Sequence, residues 1–359
     1  MQRCLANVTQ CQRRPRTASL LLCLVGSLLL SGCGTTYLLQ AARGQWQVMH
    51  GREPLAAVIA RPDTEAALRM RLEQVSAARE FATHELGLPD NRSYRTFRAL
   101  GRPYVVWNVV AAPEFSVQPR QWCFPFTGCL AYRGYFHEDS AQRYALSLAR
   151  RGYDVTVGGV SAYSTLGHFD DPVLDTMMRY GDVELAGILF HELAHQQVYA
   201  RSDSEFNESF ATAVEREGLR RWLALHDRSA ELDAFLAREQ ADRQLQQILL
   251  RSREQLRLLY AEPLPAAQMR ERKQAVLQST ADALLGFEAQ HQLRSGYDAW
   301  VQSGLNNAHL VSVGTYHDCV PAFEAFLERR GGDLQALYAE ARRLAADTSA
   351  ARRSFCAAT

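Results

Sequence analysis

The sequence has no excess of charge of either sign, and it has almost no lysine. Its 40 basic and 39 acidic residues give a formal charge of +1, so nothing in the composition favours nucleic acid or another polyanion as a partner. Lys273 is the only lysine, which we interpret as a composition bias toward arginine. The sequence also lacks internal repeats and low-complexity tracts. With 47% hydrophobic residues, this composition excludes a disordered or collagen-like chain and indicates a globular chain with a sizeable core.

A long apolar run is also missing near the amino terminus. Residues 20–30 are apolar, but a membrane-spanning helix needs about 20 such residues. Four arginines and no acidic residue precede this stretch, which is typical of a secretory signal. The stretch ends in Leu30-Ser31-Gly32-Cys33, which resembles the lipobox of bacterial lipoproteins. The resemblance implies a signal peptide over residues 1–32, lipidation of Cys33 and a periplasmic protein tethered to a membrane, with the outer membrane favoured because Gly34 is not aspartate. A plain signal peptide or an uncleaved anchor is the alternative.

Four cysteines remain beyond the lipobox: Cys123, Cys129, Cys319 and Cys356. An even number of cysteines in an oxidising compartment favours disulfides, with Cys123 paired to Cys129 and Cys319 to Cys356. Buried free thiols are the alternative. Zinc binding by these cysteines is less favoured, because none of them forms the two-residue knuckle of structural zinc sites.

The periodicity of the mature chain predicts a mostly helical α+β fold. Aromatic and β-branched residues at 94–100 and 104–111 predict a β-hairpin or meander, and the whole region 94–160 predicts a small sheet. Helical spacing of leucines over 245–259, followed by Pro263 and Pro265, predicts a long helical hairpin. Residues 310–315 predict a strand, and Asp171-Pro172 predicts the cap of a helix over 173–179. We expect four segments: the signal peptide 1–32, a core 33–220, the helical hairpin 221–295 and a carboxyl-terminal strand and helices at 296–359.

The chemistry is carried by His191-Glu192-Leu193-Ala194-His195. Residues i and i+4 of a helix share a face, so His191 and His195 can bind one zinc ion while Glu192 addresses a water molecule. A catalytic zinc ion needs a third protein ligand and an open position. Glu208, in Asn207-Glu208-Ser209-Phe210-Ala211, is the predicted third ligand. Glu215 is a weaker alternative ligand. Asp170 and Asp171 could support the histidines, although turn capping explains them more simply.

These two motifs resemble those of the gluzincin metallopeptidases, and Asn207–Ala211 is similar to the Asn-Glu-Gly-Phe-Ala element of the aminopeptidase N family. Together with the lipobox, Tyr132-Arg133-Gly134-Tyr135-Phe136 and the segment 158–167, they resemble a proteobacterial family of predicted aminopeptidase lipoproteins. The resemblance covers nearly all of the mature chain. It implies a zincin-like catalytic unit, one zinc ion and a peptide substrate.

The resemblance also implies a mechanism. Glu192 would act as general base and then as general acid on a peptide bond. Gluzincins often stabilise the oxyanion with a tyrosine or histidine, for which Tyr316 and His317 are the first candidates and Tyr163 the next. Cleavage at the amino end and cleavage within a peptide both remain open. The competing hypothesis is a non-catalytic envelope lipoprotein, in which zinc joins two helices and the hairpin binds a partner.

Overall fold

The computed structural model describes residues 32–124, 128–162, 164–201, 203–313 and 319–357. Two compact units are distinguished, Met1–Trp46 and Gln47–Thr359. Within the described residues, no helix combines the length and hydrophobicity that crossing a membrane requires. The finer division of residues 33–359 into three segments stays a prediction.

Helices predominate and sheets are small, which confirms the predicted α+β class. Buried leucine, phenylalanine and valine side chains from several helices form the main core, so most helices have one apolar face and one solvated face. The helices are α1 (Gly32–Met49), α2 (Leu55–Ala60), α3 (Ala66–His84), α4 (Glu138–Ala149), α5 (Asp182–Gln197), α6 (Ser204–Leu225), α7 (Ser229–Leu259), α8 (Ala266–His291), α9 (Tyr297–Ser303), α10 (Asn307–Ser312), α11 (Val320–Arg329), α12 (Leu334–Ala346) and α13 (Ser349–Cys356).

Three small sheets accompany the helices. Their orders are β1-β2-β8, β6-β3-β7 and β4-β5. The strands are β1 (Glu53–Pro54), β2 (Thr96–Arg98), β3 (Val106–Pro113), β4 (Trp122–Phe124), β5 (Gly128–Leu130), β6 (Arg133–Tyr135), β7 (Tyr153–Val160) and β8 (Val173–Leu174). The predicted hairpin between 94–100 and 104–111 is wrong: β2 pairs with β1 and β8, whereas β3 pairs with β6 and β7. Both segments are extended, but their partners are distant in sequence.

The sheet β6-β3-β7 has a different neighbour on each face. Alternate residues of a strand point to opposite faces. Val110 and Ala112 of β3 belong to the second core, which they share with α7, α8 and α10. Val109 and Ala111 point to the opposite face and are fully buried, on the side where α4 packs against β3. Part of the first face is not covered by these helices.

The predicted helical hairpin is present. Helices α7 and α8 pack against each other and are joined by residues 260–265. Leu245, Leu249, Leu256 and Leu259 of α7 are buried against Met269, Leu277 and Leu284 of α8. The heptad-like spacing of these leucines therefore marks a packing face, as the sequence indicated.

Two predicted elements are wrong. Residues 310–315 were expected to form the strand of segment 296–359, but Leu310 and Val311 lie in helix α10. Asn306 caps this helix by accepting a hydrogen bond from the Ala308 amide at 2.9 Å, and this cap precedes the β-branched stretch that suggested a strand. Residues 173–179 form β8 and a 3-10 helix instead of an α-helix. Asp171 does not cap it, because its carboxylate accepts hydrogen bonds from Thr165 at 2.8 to 2.9 Å.

Candidate metal centre

Two consecutive helices carry the predicted ligands. His191 and His195 lie in the second half of α5, and Glu208 lies in the first turns of α6. Asp203 caps α6 by accepting a hydrogen bond from the Phe206 amide at 3.2 Å. The buried Asn207 side chain accepts from the Ala200 amide at 2.7 Å and donates to the Ala200 carbonyl at 2.8 Å. These bonds fold the connecting segment back onto α6 and present Glu208 to α5.

The three ligand side chains converge. His191 Nε2 lies 3.2 Å from His195 Nε2 and 3.2 Å from Glu208 Oε2, and His195 Nε2 lies 3.6 Å from Glu208 Oε1. A tetrahedral zinc ion with bonds of about 2.0 to 2.1 Å separates its ligand atoms by about 3.3 Å. The spacing of the donor atoms and their chemistry therefore fit one zinc ion. Among the described residues these three form the only group of histidine, cysteine or acidic side chains that could hold a metal ion, and no fourth such side chain joins them.

The electrostatics of this cluster favour a cation. Burial lowers the pKa of His191, but hydrogen bonds to Glu208 and Glu215 outweigh this effect and raise it above its ordinary value. Burial raises the pKa of Glu208, but hydrogen bonds to His191 and His195 outweigh it, so the net pKa is lowered. Without a metal ion, these carboxylates thus stabilise a proton on the imidazole. A divalent cation is better matched to two imidazoles and a carboxylate in a mostly buried place.

Glu215 forms a hydrogen bond to the His191 ring on the side away from the other proposed ligands. Its Oε2 lies 3.0 Å from His191 Nδ1, on the opposite side of the ring from the ligand cluster. A carboxylate in this position fixes the tautomer and orientation of a metal-binding histidine. Gly187 makes room for it, because a Cβ atom there would lie 2.8 Å from Glu215 Oε1. The weaker alternative of Glu215 as a ligand is not supported by this arrangement. His195 Nδ1 is buried and has no hydrogen-bond partner among the described residues.

Glu192 lies in a buried polar environment. Burial raises the pKa of its carboxyl above the ordinary value, although His191 and His195 oppose the shift. No hydrogen bond to this carboxylate is found in the described part of the chain. Tyr94 is fully buried nearby, and burial followed by the charge of Glu192 raises the pKa of its phenol well above the ordinary value. The Tyr94 phenol therefore stays protonated in the ordinary pH range.

Several predicted residues are separate from this centre or cannot be placed. Tyr316, His317 and Tyr163, and the side chain of Cys33, lie outside the described residues. The structure joins Cys123 to Cys129 and Cys319 to Cys356 by disulfides. Asp170 interacts with Arg52 and Arg92 instead of the histidines.

Sequence reasoning named Glu215 only as a weaker alternative ligand, and it did not name Tyr94. Glu215 follows Glu208 by seven residues, which is two helical turns, so its position on the same face could have been read from the spacing. Tyr94 gave no such signal, because it lies about a hundred residues before Glu192 and reaches it only through the fold.

The sequence of the chain is also similar to one known protein family. No curated protein and no solved structure matches the sequence. One family model does match, over residues 36–355, and its description is "Putative aminopeptidase". Because this match covers most of the sequence, the chain belongs to the family described as "Putative aminopeptidase".

Proposed function

We propose that this protein is a zinc-dependent peptidase, of aminopeptidase type, which is held at the periplasmic face of a bacterial membrane by a lipid on Cys33. The observation that carries the proposal is the convergence of His191, His195 and Glu208, with donor atoms 3.2 to 3.6 Å apart. The family match supports the peptidase class. The lipobox supports the location.

The chain's own residues suit peptide hydrolysis. His191, His195 and Glu208 would hold the zinc ion, and Glu215 would keep the His191 ring in its binding orientation. When bound, the ion would supply Lewis acidity, acidifying water and polarising a peptide carbonyl. Glu192 follows His191 directly, and its carboxylate has no competing hydrogen bond among the described residues. It would accept a proton from the attacking water and deliver it to the departing amine.

A structural zinc site is less well supported. Such a site is normally closed by a fourth protein ligand, and the described residues supply three. It would also leave Glu192 as a largely buried carboxylate without an ion pair or a role. We therefore favour catalysis over a scaffold in which zinc only joins α5 to α6.

Replacement of Glu192 tests the proposal. Glu192→Gln keeps the size of the side chain but cannot carry the proton, so peptidase activity should fall by about 10² to 10⁴-fold while zinc content stays the same. Glu184→Gln is the matched control, because Glu184 lies on the same helix and pairs with Arg238 at the surface. Free-amine and N-acetylated peptides should be compared, since an aminopeptidase cuts only the former. Full activity in Glu192→Gln would contradict the proposed chemistry.

A further inference from the structure

A cavity of about 550 Å³ lies on the face of the sheet β6-β3-β7 that α4 does not cover. Its floor is formed by β3 and β7, and its walls by the disulfide-closed hairpin β4-β5 with the following segment, by α9 and by α10. The volume falls within the range of about 300 to 1,000 Å³ that is typical of ligand sites. The fold therefore leaves room for a ligand beside the second core.

Among the described residues, the lining of the cavity is uncharged and mostly apolar, with Asn108, Thr156, Ser204 and Ser312 as polar members. Val110, Leu130, Tyr132, Trp300 and Val311 contribute apolar or aromatic surface, and the lining includes no charged side chain among the described residues. Charged groups would lose hydration there without gaining an opposite charge. An apolar side chain would instead exchange water for hydrophobic contacts. The lining thus selects for uncharged, apolar groups.

One polar atom in the lining has no partner. Asn108 lies on β3 between Gly134 and Gly158 of the neighbouring strands. Its Oδ1 atom is buried and accepts no hydrogen bond within the described part of the protein. A buried acceptor without a donor is unfavourable. Because the atom exposes almost no surface, a bound peptide could donate to it only after the Asn108 side chain turned toward the cavity.

One end of the cavity lies about one helical turn from the candidate metal centre. Ser204, the first residue of α6, lines the cavity, and Glu208 follows it by four residues on the same helical face. A peptide with its scissile bond at Glu208 could therefore place a neighbouring side chain in the cavity.

We propose that this cavity is a side-chain subsite that directs the enzyme to peptides with bulky, uncharged apolar residues beside the scissile bond. The inference rests on the proposed function. It adds the substrate class and assigns Asn108, Gly158 and Trp300 to its recognition.

Gly158 offers a clean way to fill the cavity. It lines the cavity on β7, and a Cβ atom added there meets no atom within 4 Å. Gly158→Leu should therefore occupy the space that the substrate would use. Gly286→Leu is the matched control, because a Cβ atom at Gly286 on α8 also meets nothing and Gly286 does not line the cavity.

The experiment measures cleavage of Leu-Leu-Leu, Ala-Ala-Ala, Asp-Asp-Asp and Lys-Lys-Lys by the full chain loaded with zinc. Repeated residues fill the subsite whatever its position relative to the scissile bond. We expect kcat/KM for Leu-Leu-Leu to exceed that for the charged peptides at least tenfold. Gly158→Leu should lower the value for Leu-Leu-Leu at least tenfold more than that for Ala-Ala-Ala, and Gly286→Leu should not. Equal losses on both peptides, or no preference in the unaltered protein, would overturn the inference.

Binding to the zinc-loaded Glu192→Gln protein separates this inference from the proposed function. Titration calorimetry should detect Leu-Leu-Leu, and Gly158→Leu in the same background should weaken its binding at least tenfold. If Leu-Leu-Leu binds in this way but no peptide is cut by the unaltered protein, the subsite stands and the proposed peptidase activity fails. If peptides are cut but Gly158→Leu leaves Leu-Leu-Leu binding unchanged, the subsite fails and the peptidase stands. Thermal unfolding of both glycine variants checks that they are folded.

Discussion

Glu215 of α6 contacts the candidate metal centre through His191, although it is not one of the three proposed ligands. Its hydrogen bond to His191 Nδ1 orients the ring so that Nε2 faces His195 and Glu208. Glu215→Ala should weaken zinc affinity by about 10 to 100-fold, as measured by competition with a chromophoric chelator. Glu239→Gln is the control, because Glu239 pairs only with arginines. Unchanged affinity in Glu215→Ala would show that the His191 orientation is set elsewhere.

Lys273, the single lysine, is buried in the hairpin and has a structural role. Its Nζ donates to Asp154 Oδ2 at 2.6 Å and to the Glu114 carbonyl at 2.9 Å. Lys273→Met would remove the cationic partner of the mostly buried Asp154, which would keep only the hydrogen bond from the Asn307 amide, so the free energy of unfolding should fall by about 3 kcal/mol. Urea unfolding measures this change. Arg257→Met, which breaks an exposed pair with Glu254, should have a much smaller effect, and equal effects would contradict this role for Lys273.

The contact between α5, α6 and the turn that follows α3 depends on a glycine. A Cβ atom at Gly218 would lie 2.7 Å from the Phe190 ring and 2.9 Å from Leu86 Cδ1. Gly218→Ala should therefore overpack the core and lower the free energy of unfolding by about 1 to 3 kcal/mol. The same substitution at Gly286, where the added atom meets nothing, should raise it by about 0.5 to 1 kcal/mol. Urea unfolding of both variants would refute the packing argument if their effects had the same sign.

Helix α10 contains a pH-sensitive cap. His309 Nδ1 accepts a hydrogen bond from the Asn306 amide at 3.2 Å, and burial lowers the pKa of His309 from 6.5 to about 4. The unfolded chain therefore takes up this proton first as the pH falls. The contribution of His309 to the free energy of unfolding is fully present above pH 6.5 and is lost as the pH falls toward 4. The loss amounts to about 2 kcal/mol between pH 7.5 and pH 5.

His309→Gln provides the test of this cap. Glutamine can fill the same place in a capping box but does not titrate. The variant should lose about 2 kcal/mol less than the unaltered protein between pH 7.5 and pH 5, as measured by urea unfolding at both pH values. Parallel pH profiles would rule out His309 as the titrating group.

At the scale of the whole molecule, the carboxyl-terminal helix α13 is joined to the start of α6, the helix that carries Glu208. Cys319 and Cys356, 37 residues apart, link the start of α11 to the end of α13. Arg352 on α13 pairs with Asp203, the cap of α6, at 2.5 Å. Replacing both cysteines with serine should lower the free energy of unfolding by about 4 kcal/mol, compared with about 2 kcal/mol for Cys123 and Cys129, since these are only 6 residues apart. A larger loss for the shorter loop in urea unfolding would contradict this ranking.

The sequence predicted the parts of the molecule that depend on local order. His191, His195 and Glu208 lie on helices whose spacing and caps are local, and the leucines of α7 repeat along a single helix. The sheets were less predictable, because β2 and β3 pair with strands that are distant in sequence. The prediction of a strand at residues 310–315 was wrong because a helix cap upstream of this stretch starts a helix there. Neither the cavity nor the position of Tyr94 could be predicted from the sequence, because both depend on segments that are distant from one another along the chain.

Metal analysis of the purified protein tests the central claim most directly. The zinc content per chain should be measured for the unaltered protein, His191→Ala, Glu208→Ala and Glu192→Gln, all shown to be folded by circular dichroism. We predict about one zinc ion per chain in the unaltered protein and in Glu192→Gln, and a large loss in the two ligand variants. A folded, unaltered protein that binds no zinc, or ligand variants that keep it in full, would contradict the account.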